Sequence, residues 1–372
     1  MKKVHFLIDK SQIVDYLVMP VRYNRRVLYD KGYDVKVFDQ PSKHCLSCDI
    51  LLLASKSVFS IVNDEYWTII GPDSPVFRLI EKAKKYANKV IWLDTSDSTS
   101  VTHFELLPHV DLYLKKQLLK DRNLYNKKYY GGRIFSDFYH KEFGIKDATL
   151  FNQYYPLDMN LSHKVSLSWN IGLGNVYNAF TKKGVIQQRI SNVFPTGYNY
   201  AFHSAQEKRD MDIFIRTTSN LSRNVIAFHR QELLRRLVDI TQEFENLKVS
   251  LNEEKVKLKT FRSILRNTKI LPSPFGWGEL GVRDYEAFIF GAALLKPNIS
   301  HMETWPNIFI EKDTYQPFDW SFSDLKEAII ELLEDDELRI RIANNGQEKY
   351  ADSISLMGME LFCDWFVQQI EL

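Results

Sequence analysis

Between Pro272 and Glu286 the sequence reads PSPFGWGELGVRDYE, which packs Gly276, Gly278 and Gly281 just ahead of a helix opening near Arg283. Glycines in such a loop let backbone amides approach a diphosphate closely, and the first turn of the following helix adds partial positive charge. Arg283 offers a bidentate phosphate contact there. Glu286 lies one turn further along on the same side, where a carboxylate accepts hydrogen bonds from both hydroxyls of a ribose. Glu279 places a further acid inside the loop. Turn chemistry also accounts for clustered glycines, and a solvated helix position for Glu286.

Other groups stand where strands should end. Arg216 closes the apolar run MDIFIR, and Arg223 follows in a loop rich in Thr, Ser and Asn. Both are candidate diphosphate contacts or, equally, surface charges; Lys255 and Lys257 are secondary candidates. Asp94 and Asp97 follow the run KVIWL, where a general base for an acceptor hydroxyl would sit. Asp97 lies further into the loop and is preferred, although a helix cap explains either acid. Asp9 is a weaker alternative, and His103 lies a few residues on. His301 and Thr304, in HMETWPN after ALLKPN, suit contacts to hydroxyls or to a planar ring.

The elements that must carry these groups alternate. Val4–Asp9, Tyr33–Asp39, Asp49–Ser55, Lys89–Asp94 and Val110–Lys115 are short apolar runs separated by helical stretches, which predicts parallel strands. Val76, Leu79, Ile80, Ala83 and Tyr86 share one helical face between the third and fourth runs. A second series starts after the charged stretch His203–Asp210, read as a linker, with strands at 211–216, 247–252, 268–273 and 293–298 and helices between them. Helices close the chain, and Phe362, Trp365, Phe366 and Ile370 give the last one an aromatic face that must be buried. The predicted division is an N-terminal domain over 1–205, a C-terminal domain over 206–352 and a terminal helix over 353–372.

Composition narrows the partners. With 372 residues there is room for two domains, and 49 basic against 47 acidic residues argue against wholesale nucleic-acid binding. Three cysteines, Cys45, Cys48 and Cys363, give no disulfide framework, and the apolar run after Met1 is too short for a leader, so a cytoplasmic location is expected. Lys115, Lys116, Lys120, Arg122, Lys127, Lys128 and Arg133, interleaved with Tyr125, Tyr129 and Tyr130, could rest on anionic headgroups at the inner membrane face or form a solvated surface.

The stretch KILPSPFGWGE from Lys269, with Arg283, Glu286, Ala287, Gly291, Lys296, Pro297 and the later Ala343–Gln347, resembles the C-terminal half of GT-B glycosyltransferases, group-1-like and of the bacterial surface-polysaccharide or lipopolysaccharide type. The resemblance implies an α/β fold of two Rossmann-like doubly wound domains, with an interdomain cleft and a C-terminal helix crossing back. It implies transfer of a sugar from a nucleotide-sugar donor to a glycan or lipid-linked acceptor. The donor is a co-substrate, and no cofactor is implied. Glu286 and Ala287 map onto the glutamate and alanine that meet the donor ribose. Retaining members carry a second acid eight positions earlier, where this chain has Gly278 with Glu279 beside it, which leaves the stereochemical outcome open. No Asp-x-Asp follows a strand, so no metal is expected. A nucleotide-sugar epimerase on the same frame and a non-catalytic carbohydrate- or nucleotide-binding protein are the alternatives.

Overall fold

The structure is a computed structural model that describes residues 1–9, 12–65, 70–151, 154–174, 176, 186, 190, 198, 200–244, 246–251 and 256–372, with backbone alone at 12–15. Lys255 falls outside the described residues.

The N-terminal sheet is built from β1 (Lys2–Leu7), β2 (Tyr33–Phe38), β3 (Ile50–Ala54), β4 (Lys89–Asp94) and β5 (Leu112–Lys115). A short strand β6 (Gln117–Leu119) lies outside it, and β7 (Val165–Leu167) completes it. The order is β2-β1-β3-β4-β5-β7, and every pairing is parallel. Helices cover both faces, which is why β3 is buried at every residue. The helix Pro75–Ala83 turns Val76, Leu79, Ile80 and Ala83 inward; it opens with proline in its first turn and with the Ser74 hydroxyl accepting from Phe77 N at 3.1 Å.

The C-terminal sheet comprises β8 (Met211–Ile215), β9 (Val249–Leu251), β10 (Thr268–Pro272), β11 (Ala293–Pro297) and β13 (Gln316–Phe318). Its order, β13-β11-β10-β8-β9, is again fully parallel. Renumbered within each domain, the first five sheet strands follow the same order, with the second strand outside the first and the later ones stacked the other way. Two doubly wound domains of one topology therefore face each other, the arrangement expected for a GT-B fold.

Two features join them. The terminal helix Leu356–Glu371 buries Phe362, Phe366 and Ile370. It lies on the N-terminal domain, with Phe366 stacked 6.0 Å from Phe6 and Phe362 5.4 Å from Trp169. It is pinned there by Lys31–Asp364 at its middle and Lys2–Glu371 at its far end, both at 2.6 Å. The crossing back follows from the aromatic face, since burying each such ring stabilises by roughly 1.5–3 kcal/mol. The second feature is an antiparallel ribbon of β6 with β12 (Met302–Thr304), one strand from each domain.

Two charged stretches are placed by the structure. The stretch His203–Asp210 is fastened to the C-terminal domain: buried Arg209 donates to the carbonyls of Ser204, Arg266, Thr268 and Phe290. A guanidinium whose two terminal nitrogens are held by backbone carbonyls looks in sequence like any linker charge. The basic run is also largely internal. Lys115, Lys116, Tyr125 and Arg133 are buried, and Arg122 pairs with Glu303, leaving Lys120, Lys127 and Lys128 exposed. Among the described residues no helix is long and apolar enough to cross a membrane.

Candidate functional site

In an open parallel sheet, ligands bind beyond the carboxyl ends of the strands, at the point where the connections diverge. In the C-terminal sheet that point lies between neighbouring β8 and β10, because β9 lies beyond one and β11 beyond the other. A cavity of 420 Å³ opens there. Arg216, Thr217 and Thr218 line it from the end of β8, and Ser273, Gly276, Trp277 and Gly278 from the end of β10. Gly281, Val282 and Arg283 add the first turn of the helix Val282–Phe290, while Tyr16, Asp97 and Lys116 close it from the N-terminal domain.

The helix start is shaped by Asp284, whose carboxylate accepts from Gly281 N at 2.9 Å and from the Ser273 hydroxyl, with Lys296 Nζ 3.4 Å away. This capping fixes the turn that carries Arg283 and Glu286. Arg283 donates to Glu286 at 3.2 Å and to the carbonyl of Arg216 at 3.0 Å. Arg216 and Arg283 both lie over the Phe261 ring, at 4.4 and 5.6 Å. The structure thus brings Arg216, Arg283 and Glu286 together. Glu286 is not itself among the cavity-lining residues; it pairs with Arg283, which is, keeps 20% of its side chain exposed, and burial raises its pKa against the opposing pull of Arg283.

Arg230 is the cation that sequence reasoning missed. It stands on the helix Asn224–Glu243, donates to the carbonyls of Phe275 and Thr218, and lines the same cavity. The i, i+4 relation of Arg230 to buried Ile226, on a helix whose inner face was readable, was the available signal.

Other expected contacts are redirected. Arg223 is buried in the domain interface, donating to the Gly131 carbonyl at 3.0 Å and lying 3.8 Å over Phe151, and burial lowers its pKa to about 10. It is absent from the cavity lining, as is Lys257, which caps the helix Leu258–Arg266 at the surface. Glycine is required most clearly at Gly278, and for a reason other than ligand approach: a Cβ there would lie 1.6 Å from the Asp97 carbonyl oxygen. At Gly276 an added Cβ would meet Arg230 at 3.0 Å, and at Gly281 it would meet nothing.

Glu279 points away from the cavity and across the domain boundary. Its carboxylate accepts from the Ser98 hydroxyl, from Thr99 N and Oγ1, and from Gln117 Nε2. Burial pushes its pKa up, but facing His301 and Thr99 outweigh that and bring it down to about 2. His301 Nε2 lies 3.6 Å from Glu279, and the Thr304 hydroxyl donates to the Lys116 carbonyl within the ribbon at 2.9 Å. Neither His301 nor Thr304 lines the cavity, so both serve the domain junction.

The two acids of the N-terminal domain diverge. Asp94 is fully buried and accepts from Tyr113 Oη at 2.6 Å, Lys115 Nζ at 2.9 Å and Ser96, which removes it from any contact with an acceptor. His103 is buried beside Glu105, and Asp9 approaches Ser57 at 3.5 Å outside the cavity lining. Asp97 does line the cavity. Its oxygens receive Lys56 Nζ at 2.7 Å and Lys116 Nζ at 3.0 Å, and these cations outweigh burial to hold its pKa well below the usual carboxylate range.

No family model and no curated protein matches the chain. Among solved structures it is similar to HepE of Anabaena in complex with UDP and glucose, at 9% identity and TM-score 0.44, covering 99% of this chain and 100% of that one. It is similar to an alpha-glucosyltransferase in complex with UDP and a 13-mer DNA, at 11% identity and TM-score 0.48, with 99% of each chain covered. TarM of S. aureus, in complex with UDP and Fondaparinux among others, follows at 10% identity and TM-score 0.46, over 96% of this chain and 59% of that one. At such identities and scores the chemistry rests on the residues themselves.

Proposed function

We propose that this protein is a glycosyltransferase that moves a sugar from a nucleoside-diphosphate sugar to a glycan or lipid-linked acceptor in the interdomain cleft, without a metal ion. The observation that carries this reading is the convergence of Arg216, Arg230 and Arg283 with the Gly281 end of a helix on one cavity at the divergence point of the C-terminal sheet. That set is suited to an anion whose charge grows as a diphosphate departs, since fixed cations stabilise the developing charge with no reorganisation.

In this reading Glu286 accepts the ribose hydroxyls and Arg283 holds it in place. Gly276 and Gly278 shape the floor of the donor pocket. Asp97 is the cleft carboxylate nearest the acceptor side. Held ionised by two lysines, it is a weak proton acceptor and better suited to orienting an acceptor hydroxyl. Any contact with anionic headgroups falls to Lys120, Lys127 and Lys128.

The test is thermal unfolding with UDP, GDP, ADP, dTDP and CMP, followed by product analysis with and without acceptor. A ligand at a hundredfold excess over its Kd adds about 2.7 kcal/mol of apparent stability. The expected results are a shift with one nucleoside diphosphate, transfer only when acceptor is present, and loss of ribose-over-deoxyribose preference in Glu286→Gln. Unchanged unfolding with every nucleotide would refute the reading, and acceptor-independent turnover of the donor would point to an epimerase.

A further inference from the structure

The cavity is walled on one side by the arginines of the C-terminal domain and on the other by a cation of the N-terminal domain. Lys116 follows β5, is only 6% exposed at its side chain, and lines the cavity beside Asp97. Lys56 reaches Asp97 from the start of the helix Ser55–Val62 without lining the cavity. Two ammonium groups share one carboxylate, so this trio keeps one net positive charge facing Arg216, Arg230 and Arg283. The position of Lys116 is fixed: its carbonyl accepts from Thr304, and the next residue begins the ribbon with β12.

Building on the proposed function, we infer that Lys116 is a diphosphate-binding residue supplied by the N-terminal domain, so that the donor's diphosphate engages both domains at once. A charge at the far wall is needed only by a ligand long enough to reach it. Lys116 therefore sets preference for a nucleoside diphosphate over the corresponding monophosphate, which the arginines alone would hold. Lys56 is a positioning residue that steadies Asp97 and, through it, Lys116.

The experiment titrates wild type, Lys116→Met, Lys116→Arg and Lys56→Met with the nucleoside diphosphate that gives the largest thermal shift and with its monophosphate. Urea midpoints of the unliganded variants confirm folding. A charge-assisted contact predicts that Lys116→Met binds the diphosphate roughly tenfold more weakly and the monophosphate within about twofold of wild type. Lys116→Arg regains most of the loss, and Lys56→Met, which keeps the Lys116 ammonium but removes the surplus charge and the steadying contact, lowers the diphosphate preference by less than Lys116→Met does. The assignment fails if Lys116→Met weakens both ligands alike, or if Lys56→Met matches it, since either result places the effect in the loop. A wild type that binds none of the nucleotides overturns the functional reading and this assignment together. A wild type that prefers the diphosphate, with that preference intact in Lys116→Met, overturns the Lys116 assignment alone.

Discussion

Thr99 of the N-terminal domain donates both its hydroxyl and its amide to the carboxylate of Glu279 in the C-terminal domain, at 2.6 and 3.0 Å. An acid one residue past the expected position therefore serves to hold the domains together. Its carboxyl is lowered from the usual 4.5 to about 2, so its stabilisation is complete above pH 4.5 and is lost as pH falls toward 2. The shift corresponds to about 3 kcal/mol. Glu279→Gln should be less stable than wild type at pH 7, with the gap closing at pH 3, as read from urea midpoints. An equal gap at both pH values would count against the ionised form as the stabilising one.

Asp94→Asn should leave Lys115 buried without its counter-charge, since neither side chain is exposed. The expected cost is about 3–5 kcal/mol, measured by chemical denaturation. A variant of wild-type stability with no turnover would instead restore Asp94 as a proton acceptor.

Gly278→Ala should force the loop off the Asp97 carbonyl, because the new Cβ would sit 1.6 Å from that oxygen. Rigid backbone is the obstacle, so a cost of about 1–3 kcal/mol and a lower melting temperature are expected. Gly281→Ala, with nothing within 4 Å, serves as the tolerant comparison in the same scan.

Arg230→Ala should weaken nucleotide binding by roughly tenfold, the usual scale for a lost charge-assisted contact. Arg235→Ala, on the same helix but 55% exposed, should leave it unchanged. Calorimetric titration of both variants decides the matter, and equal effects would show that the helix, not the cavity, is being perturbed.

Phe366→Ala should cost about 3–5 kcal/mol by opening a void between the terminal helix and Phe6 and Trp169. Denaturant midpoints report it. A loss below 1 kcal/mol would mean that this ring contributes little to holding the helix on the N-terminal domain.

Much of this architecture was legible because burial on both faces writes long apolar runs into parallel strands, as in ILLLA of β3 and KVIWLD of β4. The donor-side loop was legible too, since strand, glycines and helix follow one another in sequence and so must be adjacent in space. What escaped depends on contacts between distant segments. Lys115 and Lys116 stand next to each other in a basic run, yet one neutralises a buried acid and the other faces the cleft, a difference set by strand alternation and by partners far along the chain. Glu279 and Thr304 follow strand ends as ligand-binding groups do, but their partners, Thr99 and the Lys116 carbonyl, lie in the other domain. Strands of three residues such as β6 and β12 carry too little periodicity to announce themselves.

The pairing of Leu118 with Glu303, and of its neighbours on either side, has a mechanical consequence. Two bodies stitched along a backbone seam cannot separate straight outward without tearing peptide hydrogen bonds, whereas rotation about the seam breaks none. Such a turn is opposed in its own way by side chains away from the stitches, Glu279 on Thr99 and Gln117 and Arg223 on the Gly131 carbonyl, so that parting and twisting of the halves each break a different set of bonds.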